Sequence, residues 1–74
     1  MIVTLVALVC SLQGECLERV VTDSDESGIT MASCLSAGQM WLAQWKASSP
    51  YADWRLERYR CIETQGKYVP SKGA

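Results

Sequence analysis

Histidine and phenylalanine are absent from this 74-residue chain, proline occurs twice, and the formal net charge is only −1. Without histidine there is no imidazole for acid–base chemistry, for a nucleophilic triad or for a mixed metal site. A net charge so close to zero argues against a dedicated nucleic-acid binder, which needs a basic field. The longest apolar run, Met1 to Cys10, is far short of the ~20 residues a membrane-spanning helix requires. What the chain does have is a 49% hydrophobic content, four cysteines and three tryptophans. That composition excludes general disorder and describes one small domain.

A domain of this size buries only about 60% of the surface its unfolded chain exposes, so its stability margin is thin. Cross-links or a metal commonly make up the difference, and the cysteines are the candidates. The charge is also unevenly spread. Residues 1–29 carry Glu15, Glu18, Asp23, Asp25 and Glu26 against Arg19, a net of −4. Residues 30–74 carry Lys46, Arg55, Arg58, Arg60, Lys67 and Lys72 against Asp53, Glu57 and Glu63, a net of +3.

The opening run MIVTLVALVC is crowded with β-branched residues, Ile2, Val3, Thr4, Val6 and Val9, which suit a pleated buried strand. The competing reading is a remnant of a secretory signal. It lacks a basic segment in front, and cleavage between Cys10 and Cys16 would leave an odd number of cysteines. A five-residue hairpin loop, Ser11 to Glu15, leads to a second strand over Cys16 to Thr22. The segment DSDESG, Asp23 to Gly28, is dense in turn formers, and a helix is expected to start near residue 29 or 30. Ser27 or Thr30 serves as its N-cap, with Asp25 and Glu26 near its positive end.

Along that helix Met31, Cys34, Leu35, Gly38, Leu42 and Trp45 trace one apolar stripe with Trp41 at its edge. A glycine inside the stripe costs about 1 kcal/mol of helix propensity, which is explained if Gly38 lets the helix lie close on a sheet. Most of the tryptophan area is expected in the core. Ser48, Ser49 and Pro50 end the helix. The last strand, Trp54 to Ile62, changes phase midway, which a bulge near Glu57 or Arg58 reconciles. Residues 1–64 form the domain, and residues 65–74 read as a loose tail.

The order β-β-α-β gives an α+β domain. A right-handed helix crossover then sets the first strand in the centre of an antiparallel sheet of order 2-1-3. Cys10 and Cys16 share one end of that sheet, Cys34 and Cys61 the other. Of three possible pairings, Cys10–Cys16 with Cys34–Cys61 requires no cysteine to cross the domain. The gaps of five, 17 and 26 residues do not suit a four-cysteine zinc site.

Asp23, Asp25, Ser27 and Gly28 match the first half of an EF-hand loop, but Cys34 stands where the bidentate glutamate belongs, and no metal or cofactor is expected. No phosphate loop, paired nucleophile or sequestered carboxylate pair points to an enzyme; Glu57 with Glu63, and Asp23 with Asp25, read as surface acids. Arg55, Arg58, Tyr59 and Arg60, with Lys67 and Tyr68 beyond, interleave cations with aromatics, as single-strand nucleic-acid platforms do, yet Glu57 and Glu63 interrupt them and charged edge strands serve to block unwanted pairing. Met40 and Tyr51 with Arg55, Arg58, Tyr59 and Arg60 form the candidate patch for a protein partner or a second copy.

The strand ending at Cys10, the hairpin to Cys16, the helix segment MASC (Met31 to Cys34), the helix end ASSPY (Ala47 to Tyr51) and the final YRC (Tyr59 to Cys61) resemble small cysteine-containing proteins of proteobacteria and their phages. That resemblance implies architecture alone. The resulting expectation is a disulfide-stapled binding or structural module, periplasmic or secreted and trimmed of its export signal. The alternative is a cytosolic phage or mobile-element protein with reduced cysteines that intercepts a host component.

Overall fold

A computed structural model describes residues 1–69 of the chain. Strand β1 spans Ile2–Cys10, β2 Cys16–Asp23, and β3 Arg55–Thr64, with helices α1 (Ser24–Ser27) and α2 (Met31–Ala47) between β2 and β3. The sheet order is β2-β1-β3 with both pairings antiparallel, so the most apolar strand is central. The reason lies in composition: only a strand with two neighbours satisfies both sides of its backbone while burying apolar side chains on both faces.

The hairpin between β1 and β2 closes through Ser11, whose N–H donates to the Glu15 carbonyl at 2.7 Å while Gly14 N–H donates to the Ser11 carbonyl at 3.1 Å. Gly14 takes φ 91°, a conformation that favours glycine. Two bulges adjust the outer strands. Val9 faces Leu56 and Leu8 faces Arg58, which leaves Glu57 as the extra residue in β3, where the phase change of the sequence placed it. The second bulge, in β2, turns Val21 in with the core and was masked by the irregular alternation of that strand.

Alternation along β1 sends Val3, Leu5 and Ala7 to one face, where they pack with Ile29, Cys34 and Leu42, flanked by Val21, Met31, Trp45, Leu56, Tyr59 and Cys61. Gly38 lies buried over Tyr59: a β-carbon added there would stand 3.1 Å from the ring's Cε2. The close approach of helix to sheet therefore depends on that glycine. Leu35, expected in the stripe, is 66% exposed, because one residue beyond Cys34 is a 100° rotation, out to the rim of the packed face. The tryptophans are peripheral rather than central. Trp41 is exposed, and Trp45 and Trp54 are half-buried, since small and branched side chains already fill the space under α2.

The segment DSDESG does not lead α2 but forms a helix of its own. Asp23 caps α1, its carboxylate accepting the Glu26 N–H at 2.9 Å, and Gly28 ends it in the left-handed region at φ 72°. Asp25 and Glu26 thus sit at the start of α1, not of α2. Helix α2 is capped by Thr30, whose hydroxyl accepts the Ser33 N–H at 3.1 Å while the Ser33 hydroxyl accepts the Thr30 N–H at 2.9 Å.

Both cysteine pairs are disulfides. Cys10–Cys16 joins directly opposed residues of β1 and β2 at one end of the sheet, and Cys34–Cys61 ties α2 to β3 towards the other. No helix among the described residues is long and apolar enough to cross a membrane.

Candidate functional site

On the face of the sheet away from α2, β1 is largely apolar as well, with Ile2, Val6 and Leu8 interrupted by Thr4; Thr4 and Val6 are almost fully buried and Leu8 is half-buried. Register sets the flanks. Leu8 lies between Glu18 of β2 and Arg58 of β3, and Val6 between Val20 and Arg60. Together Val6, Leu8, Glu18, Arg58, Tyr59 and Arg60 line a groove of about 520 Å³.

A diagonal polar link arches over the floor of this groove. The Arg60 guanidinium donates to Glu18 Oε2 at 2.8 Å, across the width of β1. Tyr68, from the segment after β3, donates its phenol to the other Glu18 oxygen and accepts a second bond from Arg60 at 3.0 Å. Hydrogen bonding to Glu18, with some desolvation, holds the Tyr68 phenol above its ordinary pKa. The same carboxylate, by hydrogen bond and charge, raises Arg60 further. Tyr68 belongs to the segment expected to be loose, and its anchoring places that segment on the open face; the remainder of the expected tail, residues 70–74, lies outside the described residues.

Arg58 is left over. It is exposed and makes no ion pair among the described residues, although it stands directly across Leu8 from Glu18. The groove therefore combines an apolar floor, one committed cation and one uncommitted one.

The six residues of the expected patch divide among several surroundings. Arg58 and Arg60 line the groove. Arg55 is held by Glu57 at 2.8 Å. The Tyr59 ring packs under Gly38 on the helix side of the sheet. Tyr51 is committed to internal structure: it accepts from Arg19 Nε at 2.6 Å, stacks on Trp45 at 5.9 Å and meets Trp54 edge-on at 5.1 Å. Met40 stands on α2 with Ala37, Trp41 and Gln44 around a separate shallow hollow of about 210 Å³.

Val6, Leu8 and Glu18 were not singled out from sequence, and Tyr68 stood out only with Lys67 as a continuation of the cation–aromatic stretch, not as a partner of Glu18. The signal for the groove was present in β1, where both alternating sets are largely apolar although the chain offers one long helix to cover them. In the DSDESG segment the Asp23 carboxylate and the Ser27 hydroxyl are spent on α1 and on Thr22. Among the described residues no three acidic, cysteine or histidine side chains converge on a point. Compared with known proteins, the chain matches no family model, no curated protein and no solved structure.

Proposed function

We propose that this chain is a non-enzymatic protein-binding module of an oxidising compartment, and that it binds through the helix-free face of its sheet. The observation that carries this is the mismatch on β1: an apolar strand between two charged ones, covered by α2 on one side and flooring a groove on the other, with Arg58 at the rim making no ion pair among the described residues. An apolar floor with convergent polar groups is the usual form of a recognition surface. The two disulfides support the compartment, because such bonds rarely persist in a reducing cytosol.

Site-specific photo-crosslinking in the producing cell tests the surface. A benzophenone side chain in place of Arg58 is expected to give a protein adduct of discrete mass, lost when Leu8→Glu charges the floor. The same probe in place of Gln39, exposed on α2, gives none. Adducts at residue 39 alone, or at neither position, overturn the assignment.

A further inference from the structure

An open three-stranded sheet has two free edges, and the two here differ. Every residue of β2 is half-buried or buried, its end runs straight into α1, and Arg19 is tied to Tyr51. In β3, by contrast, five of ten residues are exposed: Arg55, Glu57, Arg58, Arg60 and Glu63. The backbone of β3 bonds to β1 alone; no other backbone partner reaches it among the described residues. The bulge at Glu57 interrupts the strand at one end. From Arg58 to Thr64 its pairing with β1 is unbroken, a length ample for a further strand.

The charges on that stretch are ordered. Arg58 and Arg60 lie two residues apart, both towards the open face, about 7 Å from each other along the strand. A strand added antiparallel at this edge brings a side chain to within about 5 Å of each arginine. Opposite charge is favoured at those positions and like charge repelled. Edge charges that turn away strands in general thus admit one bearing the complementary pattern. A second copy of β3 does not carry it: self-pairing centred on Arg58, Tyr59 or Arg60 sets arginine against arginine.

We propose that β3, from Arg58 to Thr64, accepts an extended acidic segment of a partner protein as a fourth strand, with two carboxylates spaced two residues apart, the first facing the uncommitted Arg58 and the second sharing Arg60 with Glu18. This rests on the binding reading above and names the chemistry of the partner. Main-chain hydrogen bonds to the free edge hold the segment, and the arginine pair selects it. The residue between the two carboxylates turns to the helix side, beside Tyr59, where an apolar side chain fits.

The test uses the oxidised full chain, isotope-labelled, with a capped octapeptide of alternating glutamate and valine and its lysine–valine counterpart. The acidic peptide is expected to shift the amides of Arg58 to Thr64 and slow the exchange of alternate ones. The lysine peptide binds about tenfold weaker or not at all. Backbone N-methylation along one side of the acidic peptide abolishes binding, and the double variant Arg58→Glu, Arg60→Glu reverses the preference. Should that variant not fold, raising the salt to roughly 0.5 M with the natural chain serves instead, weakening the acidic peptide by screening. Equal binding of both peptides, no binding at millimolar concentration, or shifts confined to β2 or α2 overturn strand addition. So does a doubled hydrodynamic mass with the same amides protected and no peptide present, which makes the edge a contact between copies. Crosslinks at residue 58 that survive such a failure leave the binding face standing and remove the strand alone.

Discussion

At Gly38 two effects of similar size oppose each other. Alanine in a helix interior is favoured over glycine by about 1 kcal/mol, but here its methyl would press on the Tyr59 ring at 3.1 Å. Gly38→Ala alone is therefore expected to leave stability unchanged or lower it, whereas in a Tyr59→Ala background the same change raises stability by about 1 kcal/mol. Denaturant midpoints of the four proteins measure the coupling, and strict additivity would show that the contact is unimportant. A second residue-scale outcome concerns Tyr68. Its phenol donates to the Glu18 carboxylate and its folded-state pKa is raised above 10.0, so the stability this link gives is complete below the unfolded pKa and is lost as pH rises through the folded one. Tyr68→Phe should remove from the tyrosinate absorbance transition a component lying above the ordinary phenol range; loss of a component within or below that range contradicts the link. Gly38 was legible because a glycine inside an apolar stripe needs a packing reason. Tyr68 was not, because nothing local in a stretch with glycine and few apolar residues shows that a carboxylate 50 positions earlier lies within reach of its phenol.

The elements follow from the chain with one omission, α1. Four residues are too few for any periodicity to register, yet the cap that makes the helix, Asp23 with Gly28 beyond it, stood in the sequence as turn formers. The strands were legible from β-branching and alternation, and the bulge at Glu57 from the break in that alternation. Leu35 was placed wrongly and the tryptophans were expected deeper than they lie, although Trp45 packs against the core and Trp41 stands at the edge of the stripe as read; a stripe read at three- and four-residue steps does not say how wide the contact with the sheet is. At this scale the two disulfides are unequal. Cys34–Cys61 closes 27 residues and binds the helix to an edge strand, while Cys10–Cys16 closes six across a hairpin that β pairing already holds. Loop entropy puts the first at about 3.5 kcal/mol and the second at about 2.2 kcal/mol. Replacing Cys34 and Cys61 by alanine should lower the unfolding free energy more than replacing Cys10 and Cys16, since the first pair also empties buried volume at Cys34, which is fully buried. The reverse ranking in urea unfolding would mean that α2 is held by its packing alone.

For the molecule as a whole, one long helix on a three-stranded sheet leaves a face uncovered, and the sequence had signalled this through a central strand that is apolar on both sides. The order 2-1-3 followed from handedness and from that strand, and the cysteine pairing followed from the order. The surface itself was only half legible: Arg58 and Arg60 stood out as cations, but their company, Val6, Leu8, Glu18 and Tyr68, depends on register and on a chain segment folding back. A domain so built is held by one covalent link at the hairpin end of the sheet and by a second that ties α2 to β3 opposite Leu5, on the face away from the groove. The most direct test is tryptic digestion of the folded, unreduced protein followed by mass spectrometry. Cleavage after Arg19, Lys46, Arg55, Arg58, Arg60 and Lys67 places Cys10 and Cys16 in one piece ending at Arg19, Cys34 in residues 20–46 and Cys61 in residues 61–67. The fold requires an internally bridged first piece and a covalent pair of the other two. A bridge joining the first piece to either of the others would contradict both the cross-links and the strand order that brings the cysteines together, and four free thiols in the folded protein would contradict the cross-links.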